Sequence, residues 1–299
     1  SSRFSGGGNL LGSLMIFAAA GGFGTLAIFE KLADTSGLSL ETLLLFRFII
    51  ATSLIWLALL ITRHRRFLTG YQLLVAFAIG ITYALMTWFF FEGLKSMNAG
   101  TAAIVFYTYP IHVFVISSIL LDERITRSKV AALILSLTGI ALIIGTRNFR
   151  VNFDGFGLVL SAAIAYAIYT SVSRMAIDQV DSLHLTSNAM AATTLCMVPL
   201  AIGTGNLSEP SGYNQWGVIL GIAVVGTSIP ILLFISGLQH VEASRASIIG
   251  TSEPLITVFL GVAVLGEPIT ATILFGGACV LLGMLIIQRD GPASTMVAH

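Results

Sequence analysis

Between Gly93 and Ile144 the chain spells out a text that it repeats 144 residues later. Gly93-Leu94 returns as Gly237-Leu238, Tyr109-Pro110 as Glu253-Pro254, Glu123-Arg124-Ile125-Thr126 as Glu267-Pro268-Ile269-Thr270, and Gly139 as Gly283, with no gap. Thirteen of the 52 paired positions are identical. Apolar composition alone yields some identities, but not a shared mid-run proline and a shared Glu-x-Ile-Thr. The fold must therefore be assembled from two copies of one unit of roughly half the chain.

The solvent for that unit follows from the residues between the repeats. With 56% hydrophobic and only 10% charged residues, a 299-residue chain lacks the polar surface to cover a water-soluble core. Ten apolar runs are each long enough to cross a bilayer as a helix, which takes about 20 residues. They are 10–33, 39–61, 71–95, 98–121, 128–146, 155–177, 183–204, 214–238, 243–265 and 270–288. Short polar joints separate them, among them Arg63-His64-Arg65-Arg66, Asp122-Glu123-Arg124, Asn148 to Asp154 and Gly205 to Gly212; the tails Ser1–Gly8 and Gly291–His299 are polar. The first run has no cleavage signature and reads as a retained span. Unbroken runs without alternation predict helices, not a barrel. The expected fold is an all-α integral membrane protein of one domain over 1–299. Its first five-helix repeat covers 10–146, and the second, inverted repeat covers 155–288.

Inversion follows from counting, because five spans are an odd number and the second copy enters the membrane upside down. Positive charge sets the absolute sense. With the amino terminus in the cytoplasm, ten Lys/Arg lie inside (Arg3, Arg63, Arg65, Arg66, Arg124, Arg127, Lys129, Arg174, Arg245 and Arg289) and four outside (Lys31, Lys95, Arg147 and Arg150). Both termini are thus expected in the cytoplasm. Inverted repeats build secondary transporters, whose substrate site lies near the midplane where the copies meet.

Residues at that depth are the candidates. The first span carries Gly21-Gly22-Phe23-Gly24, the third Tyr83 and Trp88, the fourth Phe106-Tyr107-Thr108-Tyr109-Pro110, and the sixth Tyr166 and Tyr169. The eighth carries Gly226-Thr227-Ser228-Ile229-Pro230 and the ninth Thr251-Ser252-Glu253-Pro254. Spans 1, 3, 4, 6, 8 and 9 are read as lining a cavity, and spans 2, 5, 7 and 10 as packing around it. Substrate contacts are assigned to Phe23, Tyr83, Trp88, Tyr107, Tyr109, Tyr166, Tyr169, Thr227, Ser252 and Glu253. Buried tyrosine hydroxyls need partners, and so many at one depth suit an aromatic or amphipathic ligand as well as packing. Gly21, Gly22, Gly24, Pro110, Pro230 and Pro254 are the expected hinges. Proline frees a backbone carbonyl, which hydrocarbon tolerates only beside a cavity or a polar neighbour.

Glu253 is the deepest charge, able to hold a proton, to meet a substrate amine or to bond an adjacent helix; His112 is the other group considered for coupling. Arg47 and Glu92 lie nearer span ends, where they can pair or snorkel. Glu123 and Glu267 read as caps or joints, and Gly8-x-x-x-Gly12 and Gly217-x-x-x-Gly221 as close helix contacts. No nucleophile elbow, His-Glu-x-x-His or paired intramembrane aspartates support an enzyme. Five scattered histidines make no metal set, Cys196 and Cys279 read as core residues, and a net charge of +1 gives no reason to expect nucleic acid. No cofactor is expected, and no oligomeric state is fixed; a monomer is compatible.

Arg47-Phe48 in the second span, with Pro110…Glu123-x-Ile-Thr…Gly139 and its echo Pro254…Glu267-x-Ile-Thr…Gly283, resembles the drug/metabolite transporter superfamily, EamA type. The resemblance covers about Leu10 to Gln288. Within that superfamily, Tyr83 and the Phe106-to-Pro110 run resemble the YddG-like amino-acid exporters, where aromatic residues of these helices surround a central cavity. The resemblance implies an inner-membrane exporter of amino acids in bacteria; another metabolite or drug, such as a nucleobase or sugar derivative, is the alternative cargo.

Overall fold

The computed structural model describes residues 6–62, 68, 70–97, 99–145, 153–266 and 270–289. The basic joint 63–66, Glu267-Pro268-Ile269, most of the 148–154 joint and most of both tails lie outside the described residues. Ten helices are long and apolar enough to cross a membrane. They are α1 (Gly8–Thr35), α2 (Leu40–Ile61), α3 (Tyr71–Leu94), α4 (Ala99–Leu120), α5 (Arg127–Ile144), α6 (Phe153–Ala176), α7 (Ser182–Gly203), α8 (Gly212–Gly237), α9 (Ala243–Val264) and α10 (Ala271–Arg289). Among the described residues there is no strand. Hydrocarbon offers no partner for a free N–H or C=O, so each apolar run satisfies its backbone within itself. Starts are fixed by side-chain caps: Ser39 accepts from the Thr42 N–H, Thr126 from Lys129 and Asp181 from Leu183.

Four spans are interrupted near mid-depth. α1 breaks at Thr25, α4 at Tyr107-Thr108 and α9 at Thr251-Ser252, while α8 passes through a π-turn at Val224–Ser228. Three of these breaks stand just ahead of Pro110, Pro230 and Pro254, whose missing N–H cannot continue the ladder. Hydroxyls at the breaks bond carbonyls of the preceding turn. Thr108 donates to Val105 O at 2.7 Å and Ser252 to Ile249 O at 2.8 Å. In the wider π-turn, Thr227 and Ser228 reach back five residues, to Ile222 O at 2.8 Å and Ala223 O at 2.7 Å.

Helix pairing carries the mark of the repeat. α3 packs on α6 and α7, and five positions further on α8 packs on α1 and α2; α4 packs on α6 as α9 does on α1. The remaining large pairings, α2 with α7, α4 with α9 and α5 with α10, map onto themselves. The correspondence holds at the level of atoms. A Cβ on Gly93 would lie 3.2 Å from Gly155 O, and one on Gly237 3.1 Å from Gly12 O. A Cβ on Gly139 would strike Gly276 O and Val280, and one on Gly283 would strike Ala132 O and Ser136, each target displaced by 144. Thr52 donates to Met190 O at 3.0 Å, and Thr194 returns the bond to Phe48 O at 3.2 Å. The fold is thus ten transmembrane helices in two inverted halves. Glycine crossings supply the close backbone contact that drives helix association where no hydrophobic effect operates.

Candidate substrate-binding cavity

A cavity of about 350 Å³ lies mainly between α1, α3, α4 and α9, within the range of small-molecule sites. Its wall is aromatic: Phe23 from α1, Tyr83, Phe90 and Phe91 from α3, Phe106 and Tyr107 from α4, and Tyr166 from α6. It reaches Leu94, Ala99 and Ile144, at the ends of α3, α4 and α5 that border the 95–98 joint. Behind the wall a second aromatic layer closes the floor. Tyr109 meets Tyr166 edge-on with centroids 4.6 Å apart, and Tyr169 stacks between Tyr166 and Phe234 at 5.8 and 6.1 Å. The Tyr109 hydroxyl donates to Ser247 O at 3.2 Å.

Among the described residues, two carboxyl side chains and one guanidinium interrupt this wall: Glu30, Glu253 and Arg47. Arg47 is 3% exposed and does not snorkel; its Nε donates to Thr227 Oγ1 at 2.7 Å, and its guanidinium carbon stands 5.1 Å from the Phe48 ring centroid. The π-turn of α8 therefore positions Arg47 through Thr227, and the guanidinium also hydrogen-bonds Tyr83 on the cavity wall. Glu253 faces the Tyr107 hydroxyl, with the charges of Arg47 and Glu30 nearby. A site with a cationic fork, carboxylates and ring faces can hold both ends of a zwitterion and an apolar side chain between them.

Of the residues singled out from sequence, Phe23, Tyr83, Tyr107, Tyr166, Glu253 and Pro254 line the cavity. Tyr109 and Tyr169 stand in the layer behind it, and Thr227 acts through Arg47. Ser252 and Trp88 are not among the lining residues. Nor is His112, whose Nε2 has no hydrogen-bond partner. Gly22 abuts Pro230, and Gly24 the backbone of Glu253, so the glycines of α1 are close contacts with α8 and α9. Pro110 is buried in the core.

The expected division of lining and packing spans needs correction. α2 and α5 contribute Arg47, Ile143 and Ile144, whereas α8 contributes nothing. The reason is that the cavity reaches one face through the ends of α3, α4 and α5, which places α3 along it and its repeat partner α8 away from it. Glu30, near the end of its run, lines the cavity without being among the residues assigned from sequence. A carboxylate four residues inside an apolar stretch was the available signal.

The opposite face, near 121–126, is fastened. Glu123 accepts the Ala243 and Ser244 N–H groups at 2.7 and 3.1 Å, capping α9 from the other half. Lys129, 2% exposed, pairs with Glu242 at 2.7 Å and donates to Arg124 O at 2.9 Å. Arg245 donates to Ile287 O at 2.7 Å. The matched Glu267 lies outside the described residues.

Comparison with known proteins agrees with this arrangement. The model of the EamA-like transporter family matches the chain twice, over residues 10–145 and 154–289. An "Uncharacterized transporter" of Archaeoglobus fulgidus is 31% identical over 215 residues, 71% of this chain and 76% of the relative. Two Bacillus subtilis proteins, "Uncharacterized transporter YcbK" and "Uncharacterized transporter YwfM", are each 26% identical. The first alignment covers 86% of both chains, the second 92% of this chain and 93% of the relative. A solved crystal structure superposes with a TM-score of 0.78 at 19% identity, covering 92% of this chain and 95% of the other.

Proposed function

The chain belongs to the EamA-like transporter family, and from that premise we propose that it exports amino acids, aromatic or more broadly neutral, by alternating access. The observation that carries this reading is the composition of the cavity. A ring-lined space of about 350 Å³ presents one guanidinium and two carboxylates, groups complementary to a free amino acid's carboxylate and ammonium. Arg47 takes the carboxylate, Glu253 the ammonium, and Phe106, Tyr107 and Tyr166 the side chain. The halves rock about the cavity, with the Gly21–Gly24 segment and the breaks ahead of Pro110, Pro230 and Pro254 absorbing the bending. The chain sits in a bacterial inner membrane with both termini cytoplasmic, so the cavity described here is open outward.

Counterflow of radiolabelled amino acids into proteoliposomes tests this. Tyr107→Ala and Arg47→Met should each lower uptake at least about tenfold, the equivalent of some 1.4 kcal/mol of lost binding. Unchanged uptake in folded variants removes the site assignment. A thermal shift produced by nucleobases or sugar derivatives, and by no amino acid, removes the cargo assignment.

A further inference from the structure

In alternating access by inverted repeats, each half adopts, when the other face opens, the conformation its twin holds now. Tyr109 and Glu253 are twins under the 144-residue repeat, and so are Ser247 and Ala103. Tyr109 is packed away at 2% exposure with its hydroxyl on the Ser247 carbonyl, while Glu253 fronts the cavity. Exchanging the halves carries the Glu253 carboxyl into the buried layer that faces the Ala103 carbonyl, out of water. A tyrosine hydroxyl carries the hydrogen such a contact requires. A carboxylate carries none and would set lone pairs against lone pairs.

The charge count of the cavity leads to the same place. Among the described residues its lining holds two carboxylates, Glu30 and Glu253, and one guanidinium, Arg47. Their twins are Ser173, Tyr109 and Ala189, all uncharged and at 0%, 2% and 4% exposure. The offset is 143 for Glu30, as for Gly12 and Gly155, and 142 for Arg47, as for Thr52 and Thr194. Closing the cavity therefore buries a net charge of minus one, which costs several kcal/mol unless neutralised. Arg47 can balance Glu30. The groups facing Glu253 are Glu30 from α1, Arg47 from α2, Tyr83 from α3, Tyr107 and Tyr109 from α4 and Tyr166 from α6; Arg47 alone among them is a cation.

Resting on the alternating-access reading, we propose that closure of the cavity takes up one proton on Glu253. The proton comes from solution on the 95–98 side and forms an O–H bond with a carboxylate oxygen, so that a neutral carboxyl enters the buried layer. A cargo ammonium group neutralises the same carboxylate in the alternative loaded state. Proton and cargo then compete for one group, and the carrier exchanges them across the membrane.

The test reads accessibility and needs no knowledge of cargo. Single cysteines, Ala103→Cys and Ser247→Cys, are placed in chains with Cys196 and Cys279 replaced by alanine, and maleimide labelling is followed from neutral to mildly acid pH. The ratio of the two labelling rates cancels the thiol's own pH dependence. That ratio should fall with acidification, by up to about tenfold per pH unit for a single proton. In Glu253→Gln, whose amide can donate to a carbonyl without a proton, it should be low and flat. A flat ratio in the unsubstituted background, or a Glu253→Gln ratio that still follows pH, overturns the proposal alone. Failure of Ser247→Cys to label under any condition overturns alternating access, and the proton with it.

Discussion

Glycines in this chain mark contacts between backbones, and they are not equivalent. A Cβ on Gly80 would fall inside the Ala189 carbonyl of α7, and neither backbone can yield. On Gly157, in α6, a Cβ would meet nothing within 4 Å. Gly80→Ala should therefore destabilise by about 1–3 kcal/mol through overpacking. Gly157→Ala should be neutral or stabilise by about 0.5–1 kcal/mol through helix propensity. Thermal unfolding in detergent compares the two directly. The same distinction limits what could be read from sequence at this scale. Gly8-x-x-x-Gly12 and Gly217-x-x-x-Gly221 look alike as text, yet Gly12 meets the Gly237 carbonyl while Gly217 has open space. Arg47 shows the reverse case. Its place near one end of an apolar run leaves pairing and snorkelling equally open, and its Nε partner is a hydroxyl 180 residues away in the other half.

At the scale of single helices, the ten spans were legible to within two residues at every end, because hydrocarbon leaves an apolar run of this length little other choice. Prolines announced three of the four interruptions. The shape of the interruptions was not legible, since it depends on which hydroxyl reaches which carbonyl: Thr108 and Ser252 reach back three residues, Thr227 and Ser228 five. The break at Thr25 has no proline; there the hydroxyl donates to Gly22 O at 2.6 Å, in a segment pressed against Pro230. If these breaks are hinges, filling them should separate stability from rate. The double substitution Pro110→Ala with Pro254→Ala should move the unfolding temperature little, since each proline stands in the first turn after its break, where a missing N–H costs nothing. It should also slow counterflow while leaving cargo affinity near its starting value. Faster or unaltered turnover would assign the prolines to static kinks.

For the whole molecule, the repeat foretold two halves and a shared pocket, yet not which face would be open, because a two-fold arrangement is indifferent to the choice. Side chains outside the repeat's shared text decide it. The Glu123 cap has a twin residue in Glu267, so it is the Lys129–Glu242 pair, without a charged counterpart, that biases the 121–126 face shut. Removing one member of a buried pair costs about 3–5 kcal/mol. Lys129→Met should consequently increase labelling of Ser247→Cys and decrease that of Ala103→Cys. Equal labelling with and without Lys129 would reduce the pair to a local contact. The repeat twins of Lys129 and Glu242 are Ile273 and Asn98, which can form no ion pair. The two resting poses of an idle carrier are therefore unequally populated, each 1.4 kcal/mol of difference skewing them tenfold. With nothing aboard, such a turnstile parks facing one way. Export must begin by breaking that latch, so two unmatched side chains set how readily an empty carrier turns back for its next load.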